Sequence, residues 1–184
     1  SDVYKRQVLR LTGSVADVGL ALAARYGPLA GFLIIGGVTA DRLPRRAVMV
    51  AADLTRFASQ GFLAALLLSG SAWLWMLLAL QAVHGLASAF FVPAVTGLTP
   101  QTVSSERLQQ ANALRWAANS FGNVVGPAIA GVLVATIQAG AALAVDAGTF
   151  AVSAVCLATL DLAPAERRPG EGFFGELSAG WKEF

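Results

Sequence analysis

From Phe57 to Ser105 the chain carries no aspartate, glutamate, lysine or arginine. One membrane-spanning helix needs only about 20 apolar residues, so a run of this length can cross a bilayer twice and must fold back once. Ser69-Gly70-Ser71 supplies the reversal, and Trp73 and Trp75 follow directly, where amphipathic aromatics favour a membrane interface. Composition agrees, with 56% of residues apolar and 13% charged against about 25% charged in ordinary soluble domains. The chain reads as an all-α protein that threads the membrane several times, with the lipid bilayer as its surroundings.

Apolar runs predict five spans, at about 15–40, 48–68, 73–98, 112–137 and 141–160. Ser14 is placed to cap the first, which carries Pro28, a predicted kink. Between the first two spans lies Gly37-Val38-Thr39-Ala40-Asp41-Arg42-Leu43-Pro44-Arg45-Arg46, whose charges and proline cannot rest in hydrocarbon and so mark an aqueous surface. Asp53 and Arg56, at i and i+3, are close enough to pair and are expected to brace this turn. Thr99 to Ala111 is polar and reads as a second connection on the same side, while Gln138-Ala139-Gly140 makes a tight turn on the other.

Charge sets the orientation. The 41–46 turn holds three arginines, Arg107 and Arg115 flank the next connection on that side, and the turns at 69–72 and 138–140 hold no charge. By the positive-inside rule the basic side is cytoplasmic. Lys5, Arg6 and Arg10 break the alternation, and residues 1–7 show no apolar period and resemble a translated sequencing adapter. They are expected to be foreign, with a preceding helix surviving only near Leu9 to Thr12 and the bundle proper covering 8–161. Residues 162–184 read as a cytoplasmic linker, with an amphipathic stretch from Phe173 to Lys182 lying at the membrane surface.

Several function classes drop out. The net charge of +2 falls in short loops beside apolar spans and tracks no phosphate backbone, which argues against nucleic acid. No glycine-rich loop ends in Gly-Lys-Ser/Thr, so ATP is not the direct energy source. The single cysteine, Cys156, offers neither a disulfide nor a metal-ligand spacing, and no Ser/His/Asp or paired-carboxylate set forms a common pocket. No enzyme activity, cofactor or metal is expected.

The polar residues inside spans are the candidates for function, since a charge at a helix centre costs about 2.5–3.5 kcal/mol on insertion scales and must face a cavity or a partner. Arg25 and Asp146 lie too deep to snorkel to the basic face, and either join an interhelical ion pair or face a pathway. Gln81, His84, Asn119 and Asn123 complete this intramembrane polar set, with His84 either bonded to a neighbouring helix or titrating. Gly122 and Gly126 form a small-xxx-small pair that lets another backbone approach, and Pro127 and Gly131 follow on the same helix.

These motifs carry a family resemblance. Gly37, Asp41, Arg42, Arg45 and Arg46 resemble the loop between the second and third helices of the major facilitator superfamily, with Pro44 where that pattern has its second glycine and Thr39 where it has leucine. Gly122 to Gly131 resembles the Gly-Pro motif of the superfamily's antiporters, with Ala130 replacing one glycine. Phe90 to Ala94, Glu106 to Ala113, Val125-Gly126-Pro127 and Val145 to Phe150, in that order, look like the enterobactin-exporter type. Gln81, four residues before Gly85, stands where proton-linked members often carry arginine, so coupling through that arginine is not available.

The resemblance implies the N-terminal six-helix bundle of a two-half fold, its first helix largely missing, partnered by a C-terminal half. It implies alternating-access export of a small amphiphilic molecule, a siderophore or drug, across a bacterial inner membrane. It also implies that the 41–46 turn gates by interlocking the halves, where the residues alone read equally as a topology signal. A different reading of the same residues is a small membrane-embedded assembly protein with no transport of its own.

Overall fold

The computed structural model describes residues 14–160. The expectations for residues 1–7, for Leu9 to Thr12 and for the tail from residue 161 lie outside the described residues. Within them every regular element is helical: α1 Val15–Arg42, α2 Arg45–Leu68, α3 Leu74–Thr102, a short 3-10 turn Ser105–Arg107, α4 Leu108–Ile137 and α5 Ala139–Thr159.

Length and apolarity qualify α1, α3, α4 and α5 to cross a membrane. The predicted span at 48–68 falls short of that standard because this part of α2 carries Asp53, Arg56, Ser59 and Gln60. The last four are buried, whereas Leu54, Phe57 and Phe62 on the same helix are exposed. α2 is thus amphipathic with its polar face turned inward, which suits a helix whose outer surroundings are acyl chains.

The polar stretch from Thr99 to Ala111 is shorter as a connection than its sequence suggests, because helix continues on both sides of it. Thr99 Oγ1 donates to Val95 O at 3.0 Å and Thr102 Oγ1 to Thr99 O at 2.9 Å, so these hydroxyls are satisfied by their own helix without unwinding it. At the first turn the chain reverses in two residues: Leu43 is extended (φ −101°, ψ 156°) and Pro44 holds φ −56°. At the opposite end a single residue, Gln138, joins α4 to α5 with φ 75° and ψ 157°, a region that side chains other than glycine rarely adopt.

α1 packs chiefly on α3, and α2 on α5 and α3, whereas α4 touches the others lightly. Two glycines allow the α1–α3 approach. A Cβ on Gly36 would strike the Ala89 carbonyl, and one on Gly85 the Arg25 carbonyl. Pro93 removes the N–H that Ala89 O would otherwise accept, so the freed carbonyl faces Gly36.

Two apolar cores result. Ala21, Leu63, Ala64, Leu77 and Leu143 fill the end near the 69–73 turn, and Ala40, Val48, Met49, Ala94, Leu98 and Leu157 fill the basic end. Between them, at mid-depth, lie the buried polar residues. The outer surface carries exposed Phe32, Ile34, Phe62, Trp116, Phe121 and Val132, an apolar shell that lipid solvates and water would not.

Candidate functional site

At the basic end the arginines of the 41–46 turn hold the ends of other helices. Arg45 Nη2 pairs with Asp41 Oδ1 at 2.8 Å, its Nε donates to Ala40 O at 3.4 Å, and its Nη1 donates to Gly97 O near the end of α3. Gly97 makes room for that guanidinium, which a Cβ there would strike. Arg46 Nη2 donates to Ala158 O in the last turn of α5. Cations at helix C-termini meet both unpaired carbonyls and the negative end of the helix dipole. Asp41 keeps 66% of its side chain exposed, so it is open on the side away from Arg45. No Cβ contact surrounds Gly37, and Arg42 closes α1.

The mid-depth polar layer joins three helices. Arg56 Nη1 pairs with Asp53 Oδ1 at 3.1 Å, and Ser153 Oγ of α5 donates to Asp53 Oδ2 at 2.6 Å. The Arg56 guanidinium lies 4.2 Å from the centroid of Phe91 on α3 and 5.6 Å from that of Phe150 on α5, a cation–π contact on each side. The pair is therefore tied to α3 and α5, and it is this layer, not the 41–46 turn, that Asp53 and Arg56 brace. Gln60 Nε2 meets His84 Nδ1 of α3 at 3.3 Å, and the His84 ring stands edge-on to Phe150 at 5.4 Å. Gln81, one turn from His84, is 1% exposed, and both of its amide atoms lack partners within the described structure.

Beside this layer a cavity of about 290 Å³ opens between α1, α2, α4 and α5. It brings together Arg25 and Asp146, which sequence alone could not relate, with Gln60, Thr149, Phe150 and Gly126. Among the described residues no ion pair links Arg25 to Asp146. Asn119 and Asn123 are exposed on α4, as are Gly122 and Pro127, and neither asparagine lines the cavity. Gly131 is half-buried. No neighbour lies within 4 Å of a Cβ built on Gly122, Gly126 or Gly131, so the close approach expected of the small pair is not made by any described helix.

Sequence reasoning missed Gln60, Ser153 and the Phe91–Arg56–Phe150 stack. A signal for the first existed: 53, 56 and 60 recur at i, i+3 and i+7, one stripe of an otherwise apolar helix. Among the described residues no cluster of histidine, cysteine or carboxylate side chains could hold a metal ion.

Comparison with known proteins identifies the lineage. The family model of the Major Facilitator Superfamily matches residues 8–184. The chain is 34% identical over 182 residues to the enterobactin exporter EntS of Shigella boydii, covering 96% of this chain and 42% of that protein. It is 33% identical to EntS of Escherichia coli O1:K1 over the same length. It is 26% identical over 147 residues to macrolide efflux protein A of Streptococcus pyogenes, covering 80% of this chain and 36% of that one. The chain therefore spans less than half the length of these relatives. With helices packed around a buried polar layer, an apolar outer shell and a match over nearly its whole length, the chain belongs to the major facilitator superfamily.

Proposed function

We propose that this chain forms the N-terminal part of an exporter that moves a small amphiphilic molecule, a siderophore or drug, across the bacterial inner membrane. The observation that supports this best is the mid-depth cavity shared by Arg25, Gln60 and Asp146: opposite charges held at membrane depth are a costly arrangement that a transport pathway uses. Relatives described as an enterobactin exporter and a macrolide efflux protein favour export over import.

In this reading a C-terminal half faces the bundle, and the two halves rock about a midplane site. An ion gradient drives the cycle, with Asp146 and Arg25 as the charged groups of the pathway. The 41–46 turn lies on the cytoplasmic side, where exposed Asp41 meets the other half and Arg45 and Arg46 keep α3 and α5 aligned with it. Gly122, Gly126, Pro127 and Gly131 form the α4 surface against which a neighbouring helix closes, and Gln81, His84, Asn119 and Asn123 serve as polar positions along the way.

The experiment is efflux from proteoliposomes holding the full-length natural protein, loaded in turn with a catecholate siderophore and a macrolide, with and without an imposed pH gradient. Gradient-dependent efflux of either, lost in Asp146→Asn with normal protein yield, supports the reading. Equal leak of both compounds from protein-containing and empty vesicles refutes it and returns weight to a membrane-embedded assembly role.

A further inference from the structure

At the basic end, away from the mid-depth cavity, α2 and α5 enclose a hollow of about 410 Å³. Ala47, Val50, Ala51 and Leu54 of α2 form one side and Ala158 of α5 the other, and most of these side chains are exposed. Small side chains on both helices leave room that larger ones would close. Arg46 is the one charged residue lining it, and Leu54 lies about 12 Å deeper along α2.

Arg46 is held here but not neutralised. Its Nη2 donates to Ala158 O, which sets the guanidinium across the hollow, whereas among the described residues no carboxylate pairs with it. Arg45 beside it already has Asp41. The first turn of α2 carries neither a side-chain cap bond nor an acid, so a carboxylate brought there meets unpaired N–H groups together with Arg46.

The chain leaves α5 at Thr159, next to Ala158 of the hollow. Fifteen residues beyond Ala158, outside the described residues, the sequence reads Glu171-Gly172-Phe173-Phe174-Gly175-Glu176, two aromatic rings between two carboxylates. A stretch of that length reaches as far as about 50 Å and keeps the segment near the hollow at about millimolar effective concentration. We propose that the segment from Glu171 to Glu176 docks on this hollow, with a phenylalanine against Ala47, Val50 and Leu54 and a flanking glutamate on Arg46 and the α2 N-terminus. Docked there, it ties α2 to α5 at the basic end. A phospholipid is the competing occupant, and the tether and the paired carboxylates favour the segment over it.

The test uses the full-length natural protein in cell membranes, with p-benzoylphenylalanine in place of Phe173 or, separately, of Phe174. The benzophenone keeps an aromatic anchor and on illumination inserts into the nearest C–H bond, whether of protein or of lipid. Peptide mapping by mass spectrometry is expected to place most adducts from at least one of the two positions on residues 44–54. Adducts chiefly on phospholipid, or chiefly elsewhere in the protein, overturn the proposal.

Two substitutions then separate shape from charge, with adduct counted per folded protein on size exclusion. Ala47→Trp fills the hollow and Arg46→Glu sets like charges against the glutamates, and each is expected to lower the adduct on 44–54 by about five-fold or more. Glu171→Arg with Glu176→Arg is expected to restore at least half of it in the Arg46→Glu background. An adduct that either substitution leaves unchanged, or that the charge exchange fails to restore, overturns the docking; where Arg46→Glu does not fold, Ala47→Trp decides. The readout is a covalent adduct and not transport, so it stands whichever way the exporter reading falls.

Discussion

Alanine at Gly36 and at Gly85 tests whether backbone contact holds α1 to α3. A Cβ at Gly36 would lie 2.8 Å from the Ala89 carbonyl carbon and 3.1 Å from the Phe90 Cα, and one at Gly85 would lie 2.9 Å from the Arg25 carbonyl carbon. These neighbours are backbone atoms and cannot rotate aside as a side chain can. Carbon atoms rest at about 3.5–4.0 Å, so each substitution must push the helices apart by about 1 Å, which forfeits roughly a quarter to a half of each dispersion contact along the seam. Overpacking of this kind costs about 1–3 kcal/mol. Because one displacement relieves both clashes, the double substitution should cost less than the sum of the singles, by about 0.5–3 kcal/mol, the range for coupled sites.

The assay is denaturant unfolding in detergent micelles, followed by helix signal and run as a double-mutant cycle. Gly31→Ala is the control, since no atom lies within 4 Å of its built Cβ. There alanine should raise stability by about 0.5–1 kcal/mol through helix propensity alone. The substitutions on the seam and off it thus have opposite signs. If Gly36→Ala behaves like Gly31→Ala, or if the double substitution is additive, close backbone packing is not what joins these helices.

Asp53→Leu strands the Arg56 guanidinium in the interior and should cost about 3–5 kcal/mol, whereas Asp53→Leu with Arg56→Met should recover most of that loss; a double variant as unstable as the single would show that the pair is not the cause. Ser153→Ala removes a hydrogen bond to an ionised group and should cost about 1.5–3 kcal/mol in the same titration. Arg46→Ala frees the last turn of α5, so amide exchange there should rise several-fold while α3, held by Arg45, stays protected. Gln138→Gly should stabilise the chain by about 1 kcal/mol by relieving its positive φ, and Gln138→Ala should bring no such gain, because its Cβ keeps the strain.

The helical fold was legible because its signals are local. A charge-free run, arginines in one turn and tryptophans after another fix how often the chain reverses, and Pro44 and Ser69 lie where it does. The interior was only partly legible. Asp53 and Arg56 announce a pair through their spacing, but Ser153 and Phe150, about 100 residues away in the chain, reach them only because α5 packs on α2. Arg25 and Asp146 are costly enough to stand out singly, yet their shared cavity depends on how four helices meet. Gly122 and Gly126 read as a small pair for close contact, yet no described helix approaches them, because a small-residue face carries no information about which helix comes to it. At Thr99 to Thr102 polarity misleads, because hydroxyls bonded to their own helix erase the usual penalty for continuing it.

The helices are joined by two different kinds of contact. In lipid, apolar burial gives little reason for helices to associate, so association rests on packing and on polar bonds. α1 and α3 use packing, at Gly36 against Ala89 and Gly85 against Arg25. α2 and α5 use polar contacts, at Asp53 with Ser153, Arg56 with Phe150 and Arg46 with Ala158. The Gln60–His84 bond and the Arg56–Phe91 contact then stitch the first pair to the second through α3. α4 shares less in either scheme: Arg115 donates to Thr99 at 2.9 Å near the basic end, Val134 enters the core at the other, and the one-residue turn at Gln138 ties it to α5. The two helix pairs make one braced unit, and α4 is the helix least bound into it.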